Sequence, residues 1–165
     1  MATPRPRPWR WLLLAALLTG ALAADAYEIT RFYTDPACTA ASYAWAFVEP
    51  DTAGSCTPSE CTLSQFPDQY AVVACEADVP DPTPGTVHGV RWTLTGCNGV
   101  FQDASEMVVG QCVPLGAYYA IAECNGTALT QRNVCNAGCS ACDEVATYAL
   151  GCDGDIYWQC TPAAP

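Results

Sequence analysis

The sequence predicts an all-β fold: small disulfide-rich β-sheet units in tandem, with two clear repeats, a weaker third, and little or no helix outside an N-terminal signal. Three observations predict it. Twelve cysteines all lie beyond a signal-like leader. The segments between them are rich in aromatic and β-branched residues that alternate with the period of a strand. A cysteine-anchored pattern also recurs, in the same order, along the chain.

The leader comes first. "MATPRPRPWR" carries Arg5, Arg7 and Arg10 and no acid, and an apolar stretch follows from Trp11 to Ala23. Ala21-Leu22-Ala23 has the small-x-small form of a signal-peptidase site. The apolar stretch is shorter than the roughly 20 residues a membrane span needs. Residues 1–23 are therefore expected to be a signal peptide, with Ala24 as the mature N-terminus. Nothing downstream resembles a transmembrane helix, and "QCTPAAP" has neither a hydrophobic tail nor a retention tetrapeptide. The expected location is secreted, extracellular, with no membrane span.

The first repeat is expected over 24–78. "YEITRFYT" (27–34) and "SYAWAFVE" (42–49) read as strands, the second placing Tyr43, Trp45 and Phe47 on one face. "GSCTP" at 54–58 and "YAVVAC" at 70–75 follow. A proline-rich linker is expected over 79–88, because three prolines and a glycine cannot continue a strand or helix. His88, the single histidine, ends it and reads as a solvated loop side chain. The second repeat, 89–125, begins with the strand-like "GVRWTLTG". "GQCVP" (110–114) and "YAIAEC" (119–124) then match the two motifs of the first copy. The first copy is longer by an insert, "SECTLSQFPDQ", that brings its own Cys61. The third, weaker repeat, 126–165, keeps the order cysteine, Gly-Cys, tyrosine-containing strand, cysteine. Asp153-Gly154 there separates two strand-like runs, a strong hairpin signal.

Compartment decides the cysteine chemistry. Cys38, Cys56, Cys61, Cys75, Cys97, Cys112, Cys124, Cys135, Cys139, Cys142, Cys152 and Cys160 form an even set in a chain addressed to an oxidising compartment. Six disulfides and no free thiol are expected. Cys135, Cys139 and Cys142 have the C-x3-C-x2-C spacing that holds iron–sulfur clusters in radical enzymes. Such a cluster needs thiolates, a reducing compartment and a large α/β barrel, and this chain is too short for the barrel. Zinc needs paired C-x2-C knuckles or histidines. One C-x2-C and one distant histidine do not supply them, so no metal and no cofactor are expected. If each repeat runs up, down and up, the cysteines after its first and third strands lie at the same end. That geometry favours Cys38–Cys75, Cys97–Cys124 and Cys142–Cys160. It requires the third strand to lie beside the first, since strands two apart are about 9.6 Å from each other.

Charge and residue types narrow the function. The mature chain has Arg31, Arg91 and Arg132, no lysine, and all 17 acids, a net charge of −14. That excludes binding to phosphate backbones, so no nucleic-acid partner is expected. The acids are scattered and no calcium-loop motif is present. Catalysis by serine or cysteine needs a base, lysine chemistry has no lysine, and the cysteines are expected to be paired. Only a carboxylate pair survives, and no spacing singles one out. No catalytic residue is therefore expected. Trp45, Trp92 and Trp158, with Tyr118, Tyr119 and Tyr157, are candidates for a sugar-stacking platform or for core. Asn125 heads the glycosylation acceptor "NGT" directly after Cys124. The expectation is a secreted, disulfide-stabilised binding or structural protein whose partner is an extracellular protein or glycan. The alternatives are a small inhibitor or effector presenting a rigid loop, with the insert around Cys61 as that loop, and a carboxylate-dependent hydrolase or carbohydrate-binding module.

Overall fold

A computed structural model describes residues 26–163. The expected signal peptide, 1–23, lies outside the described residues. The chain is built of β-strands, with one short 3₁₀ turn at Ala40–Ser42. In chain order the strands are β1 (Tyr27–Tyr33), β2 (Tyr43–Pro50), β3 (Thr62–Leu63), β4 (Tyr70–Glu76), β5 (Thr86–Leu94) and β6 (Asn98–Val108). They continue as β7 (Val113–Leu115), β8 (Tyr118–Cys124), β9 (Ala128–Cys135), β10 (Cys142–Ala149), β11 (Gly151–Asp153) and β12 (Ile156–Cys160). The all-β, disulfide-rich class expected from the sequence is what is found.

The strands form two antiparallel sheets. The larger has eight strands in the order β11-β12-β5-β6-β2-β1-β4-β3, and the smaller has four in the order β10-β9-β8-β7. The chain passes from one to the other just after β6, where Gly110 N–H donates to the carbonyl of Ala122. Val87 and Met107 of the larger sheet pack against Val113, Ala120, Ala122 and Leu129 of the smaller. This is the two-layer solution for sheets that each carry an apolar face. Gln69, fully buried, ties the layers by polar contact: its Nε2 donates to the carbonyl of Pro114, and its Oε1 accepts from Trp45 Nε1.

The other face of the larger sheet is also buried. Ala74, Ile29, Val48, Ala104 and Val90 stand opposite one another across β4, β1, β2, β6 and β5. Residues in register share a face, so they form one apolar row. Two residues along, the next row on the same face is Arg31, Ala46, Glu106 and His88. Pro80, Asp81 and Thr83 lie against these rows, so the proline-rich segment is a strap across the sheet. The expected aromatic face of β2 is split: a register shift at Ala44 turns Tyr43 to the strap side, beside Glu106, while Trp45 faces the smaller sheet. Ala44, Ala46 and Val48 are the buried set, and Tyr43, Trp45 and Phe47 are half-buried.

All twelve cysteines are paired: Cys38–Cys61, Cys56–Cys75, Cys97–Cys152, Cys112–Cys139, Cys124–Cys160 and Cys135–Cys142. The expected pairings Cys38–Cys75, Cys97–Cys124 and Cys142–Cys160 are overturned. The reason is strand direction. β4 does lie beside β1, but antiparallel, so Cys75 sits opposite Glu28 at the start of β1. Cys38 follows the other end of β1. Cys97 and Cys124 fall in different sheets, and Cys142 closes its own hairpin onto Cys135. Only Cys124–Cys160 joins a strand of one sheet to a strand of the other.

Tandem repetition is not confirmed by the fold. "YAVVAC" and "YAIAEC" both become strands ending in cysteine, β4 and β8, but in different sheets. The first "G-x-C" cysteine bonds to its own copy's Cys75, whereas Cys112 reaches Cys139. The larger sheet draws strands from all three expected units. The Asp153-Gly154 hairpin is present, with Gly154 at φ 67 in the turn between β11 and β12.

Candidate functional site

Two places in the sandwich bring chemically distinctive side chains together. The first is a slot between the sheets. Trp45, Val87, Ser105, Glu106, Met107 and Trp158 of the larger sheet and Leu115 and Gln131 of the smaller line a half-open slot of about 170 Å³. Its walls follow from the register. Trp45, Met107 and Val87 are cross-strand neighbours, and so are Ser105, Gly89 and Trp158. Trp158 lies so close over Gly89 that a Cβ there would meet the indole at 2.5 Å. Tyr148 of β10 stacks on Trp158 at 4.8 Å between ring centroids. Trp45 stacks on Phe32 at 3.8 Å with the rings nearly parallel. Glycine at 89 and serine at 105 thus leave a space flanked by two fixed indoles. The volume is below the roughly 300–1,000 Å³ of sites for drug-sized ligands. It suits a single ring.

The second place is the polar row beneath the strap. Glu106 lies at its centre, 8 % exposed. Tyr43 Oη donates to its Oε1 at 2.5 Å and the Thr83 amide donates to its Oε2 at 2.8 Å. His88 Nδ1 is 3.8 Å from Oε2, too long for a hydrogen bond, and finds no other partner among the described residues. Burial opposes the charged carboxylate, but the hydrogen bonds from Thr83 and Tyr43 outweigh it and hold Glu106 down at about 2. Burial, with the Glu106 charge beside it, pushes the Tyr43 phenol far above its ordinary range. The arrangement anchors the strap: a carboxylate that stays ionised grips a backbone N–H of a segment too rich in proline to join a sheet.

The expectation for His88 is corrected here. It is 5 % exposed and belongs to β5, whose first residue is Thr86, so 86–88 are strand rather than linker. Glu106 was not anticipated at all. Its signal is Ala104-Ser105-Glu106-Met107-Val108, an acid at a position that alternation assigns to the buried face.

The proposed aromatic platform does not assemble as one surface. Trp45 and Trp158 share the slot. Trp92 packs edge-to-face on Phe101, which continues to Tyr27, on the strap-covered side. Tyr118 and Tyr157 are 40 % and 43 % exposed and line none of the slot. The insert around Cys61 is held to the loop after β1 by Cys38–Cys61, and its Leu63 is 70 % exposed. Asn125 is exposed in the β8–β9 turn. Its Oδ1 accepts from the amides of Thr127 and Ala128 and from the Thr127 hydroxyl. Cys135, Cys139 and Cys142 are consumed by two disulfides, Cys135–Cys142 and Cys112–Cys139. Among the described residues no helix is long and apolar enough to cross a membrane, and no cluster of His, Cys, Asp or Glu has the form of a metal site. No protein-family model, curated protein or solved structure matches the chain.

Proposed function

We propose that the chain is a secreted, disulfide-stapled glycoprotein that acts as an extracellular binding module. The observation that carries this reading is the pairing of all twelve cysteines. A chain with this many disulfides matures in an oxidising compartment, which agrees with the signal-like leader. The indole-walled slot supports binding, and so does the use of the only histidine as buried structure beneath the strap. The occupant is a small neutral ring, as in a glycan or an aromatic group, because the slot has no cationic wall and the mature chain is strongly acidic. The exposure of Asn125 in the β8–β9 turn supports modification at that residue.

Expression of the full chain in a secreting eukaryotic host tests the reading. The expected product is found in the medium, begins at Ala24, has no reactive thiol, and loses mass on endoglycosidase treatment unless Asn125 is changed to Gln. Retention of Met1 or a free thiol in the native protein would sink it. Titration with sugars and small aromatic compounds, followed through the indole resonances of Trp45 and Trp158, tests the slot. Unmoved indole signals remove it as the binding site.

A further inference from the structure

The four edges of the two sheets are unequal. β11 and β7 have three residues each and β3 has two, so three of the four outermost strands are short. The fourth edge, β10, has eight. It pairs only with β9, and among the described residues nothing bonds to its outer side. Natural sheets shield a long edge with proline, charged side chains (lysine above all), a bulge or a covering segment, and of these β10 carries only the acids Asp143 and Glu144 at its start. β10, "CDEVATYA", has no proline, lysine or glycine, and its register with β9 shows no shift from Glu144 to Ala149. The edge is also held straight: Cys142–Cys135 clamps one end of the hairpin, and Cys139–Cys112 pins the loop that joins the two strands.

The direction of the free groups follows from one bond. Leu150 N–H donates to the carbonyl of Thr127, towards β9. In an antiparallel ladder inward and outward residues alternate. Ala149, Thr147 and Val145 therefore turn their N–H and C=O groups outward. Val145 is 65 % exposed in the middle of this edge. Asp143 and Glu144 precede it and, as successive strand residues, point to opposite faces. Neither has a cationic partner among the described residues. Arg31, Arg91 and Arg132 are the only cations of the mature chain, and they are engaged by Glu76, Asp103 and Glu123.

We propose that β10 is a strand-addition site for an extended, basic peptide segment of a partner protein. The partner strand runs antiparallel to β10, sets an apolar residue beside Val145 and two consecutive cations beside Glu144 and Asp143, and takes the outward backbone groups. Charge selects this occupant. A second copy of the chain is equally acidic, and an acidic peptide would place like charges opposite each other, which destabilises a strand pair. The inference draws on the extracellular binding-module reading only for the class of partner. The secretion and slot experiments test that reading separately.

The experiment uses the secreted, disulfide-intact protein. The probe is a short capped peptide of alternating threonine and valine ending in two lysines, with a twin ending in two glutamates. The lysine peptide is expected to shift the amide resonances of Val145, Thr147 and Ala149 and slow their hydrogen exchange. The glutamate twin should bind about tenfold more weakly or less, and added salt should narrow the difference. Val145→Pro removes an outward N–H and should abolish the effect. Because that change could disturb β10 itself, Asp143→Lys with Glu144→Lys is the second variant, and it should reverse the preference between the peptides. Equal binding of the two peptides, shifts confined to other strands, or self-association through β10 in place of peptide binding would each overturn the proposal.

Discussion

One face of the eight-stranded sheet is covered by another sheet and the other by a strap, and the two solutions use different chemistry. The four-stranded sheet satisfies most of its own backbone, so its inner face is closed mainly by apolar side chains, Val113, Ala120, Ala122 and Leu129 against Val87 and Met107, with Gln69 on the Pro114 carbonyl as a polar tie. The strap has no ladder and carries Pro80, Pro82 and Pro84. It cannot bury a sheet face by packing alone, because its remaining amides need acceptors. Glu106 supplies one from the sheet itself and stays charged to do so. A regular layer thus closes a face with hydrophobic area, while an irregular one requires a buried polar anchor.

Breaking the only inter-sheet disulfide should have the largest effect on this contrast. Changing Cys124 and Cys160 together to Ser opens a loop of 36 residues. The expected loss is about 4 kcal/mol on the chain-entropy model, read from chemical denaturation. The strap side should respond to Glu106→Gln with about 2 kcal/mol, the scale of a lost charge-assisted hydrogen bond. This variant also carries a pH signature. A carboxylate held down at about 2 is ionised in the folded state where the unfolded chain already takes up protons. Its stabilisation is therefore complete above the ordinary carboxylate range and fades as pH falls towards 2. Melting curves from pH 6 to 2 should drop less steeply in the variant, with His88, Tyr43, Arg31 and Asp81 the other titratable or charged groups around the site. Part of the acid slope should persist, since hydrogen bonds from the Thr39 hydroxyl and the Ala37 amide hold exposed Asp35 at about 2 as well.

A smaller loss is expected on the sheet-covered face. Gly89→Ala drives a methyl into Trp158, where 2.5 Å is available. A cost of about 1.5 kcal/mol follows from overpacking, and near-ultraviolet circular dichroism should show the indole displaced. The smallest effect belongs to Trp45→Phe. It keeps the stack on Phe32 but removes the donor to Gln69 Oε1, and the cost is about 1 kcal/mol. If Glu106→Gln cost less than Trp45→Phe, the contrast between a polar-anchored and an apolar-packed face would fail.

Strand content and total cysteine pairing were legible because both rest on local or compositional signals. Alternation marked β1, β2, β4 and β8, and Asp153-Gly154 marked the last hairpin. β6 was not legible, although it runs through the middle of the larger sheet, because Gln102, Asp103, Ser105 and Glu106 dilute its apolar period. Part of the slot was visible as tryptophans but not as a site. Trp45 and Trp158 are far apart in the chain and meet only through the β12-β5-β6-β2 order. The expected repeats failed as a guide for a related reason. Similar motifs around Cys75 and Cys124 recommend similar strands, but they do not say which sheet a strand joins.

Composition, period and turn chemistry by themselves determined an all-β, acidic, fully disulfide-bonded chain, since each acts within a few residues or over the whole count. Tertiary structure alone decided which cysteines meet, what covers each face of β2, and that His88 lies beneath a strap beside Glu106. It also left β10 as the one long edge. These depend on strand order and direction, and neighbours in a sheet are set by hydrogen bonds between segments tens of residues apart. One antiparallel choice, β4 against β1, placed Cys75 at the far end from Cys38 and redirected both bridges.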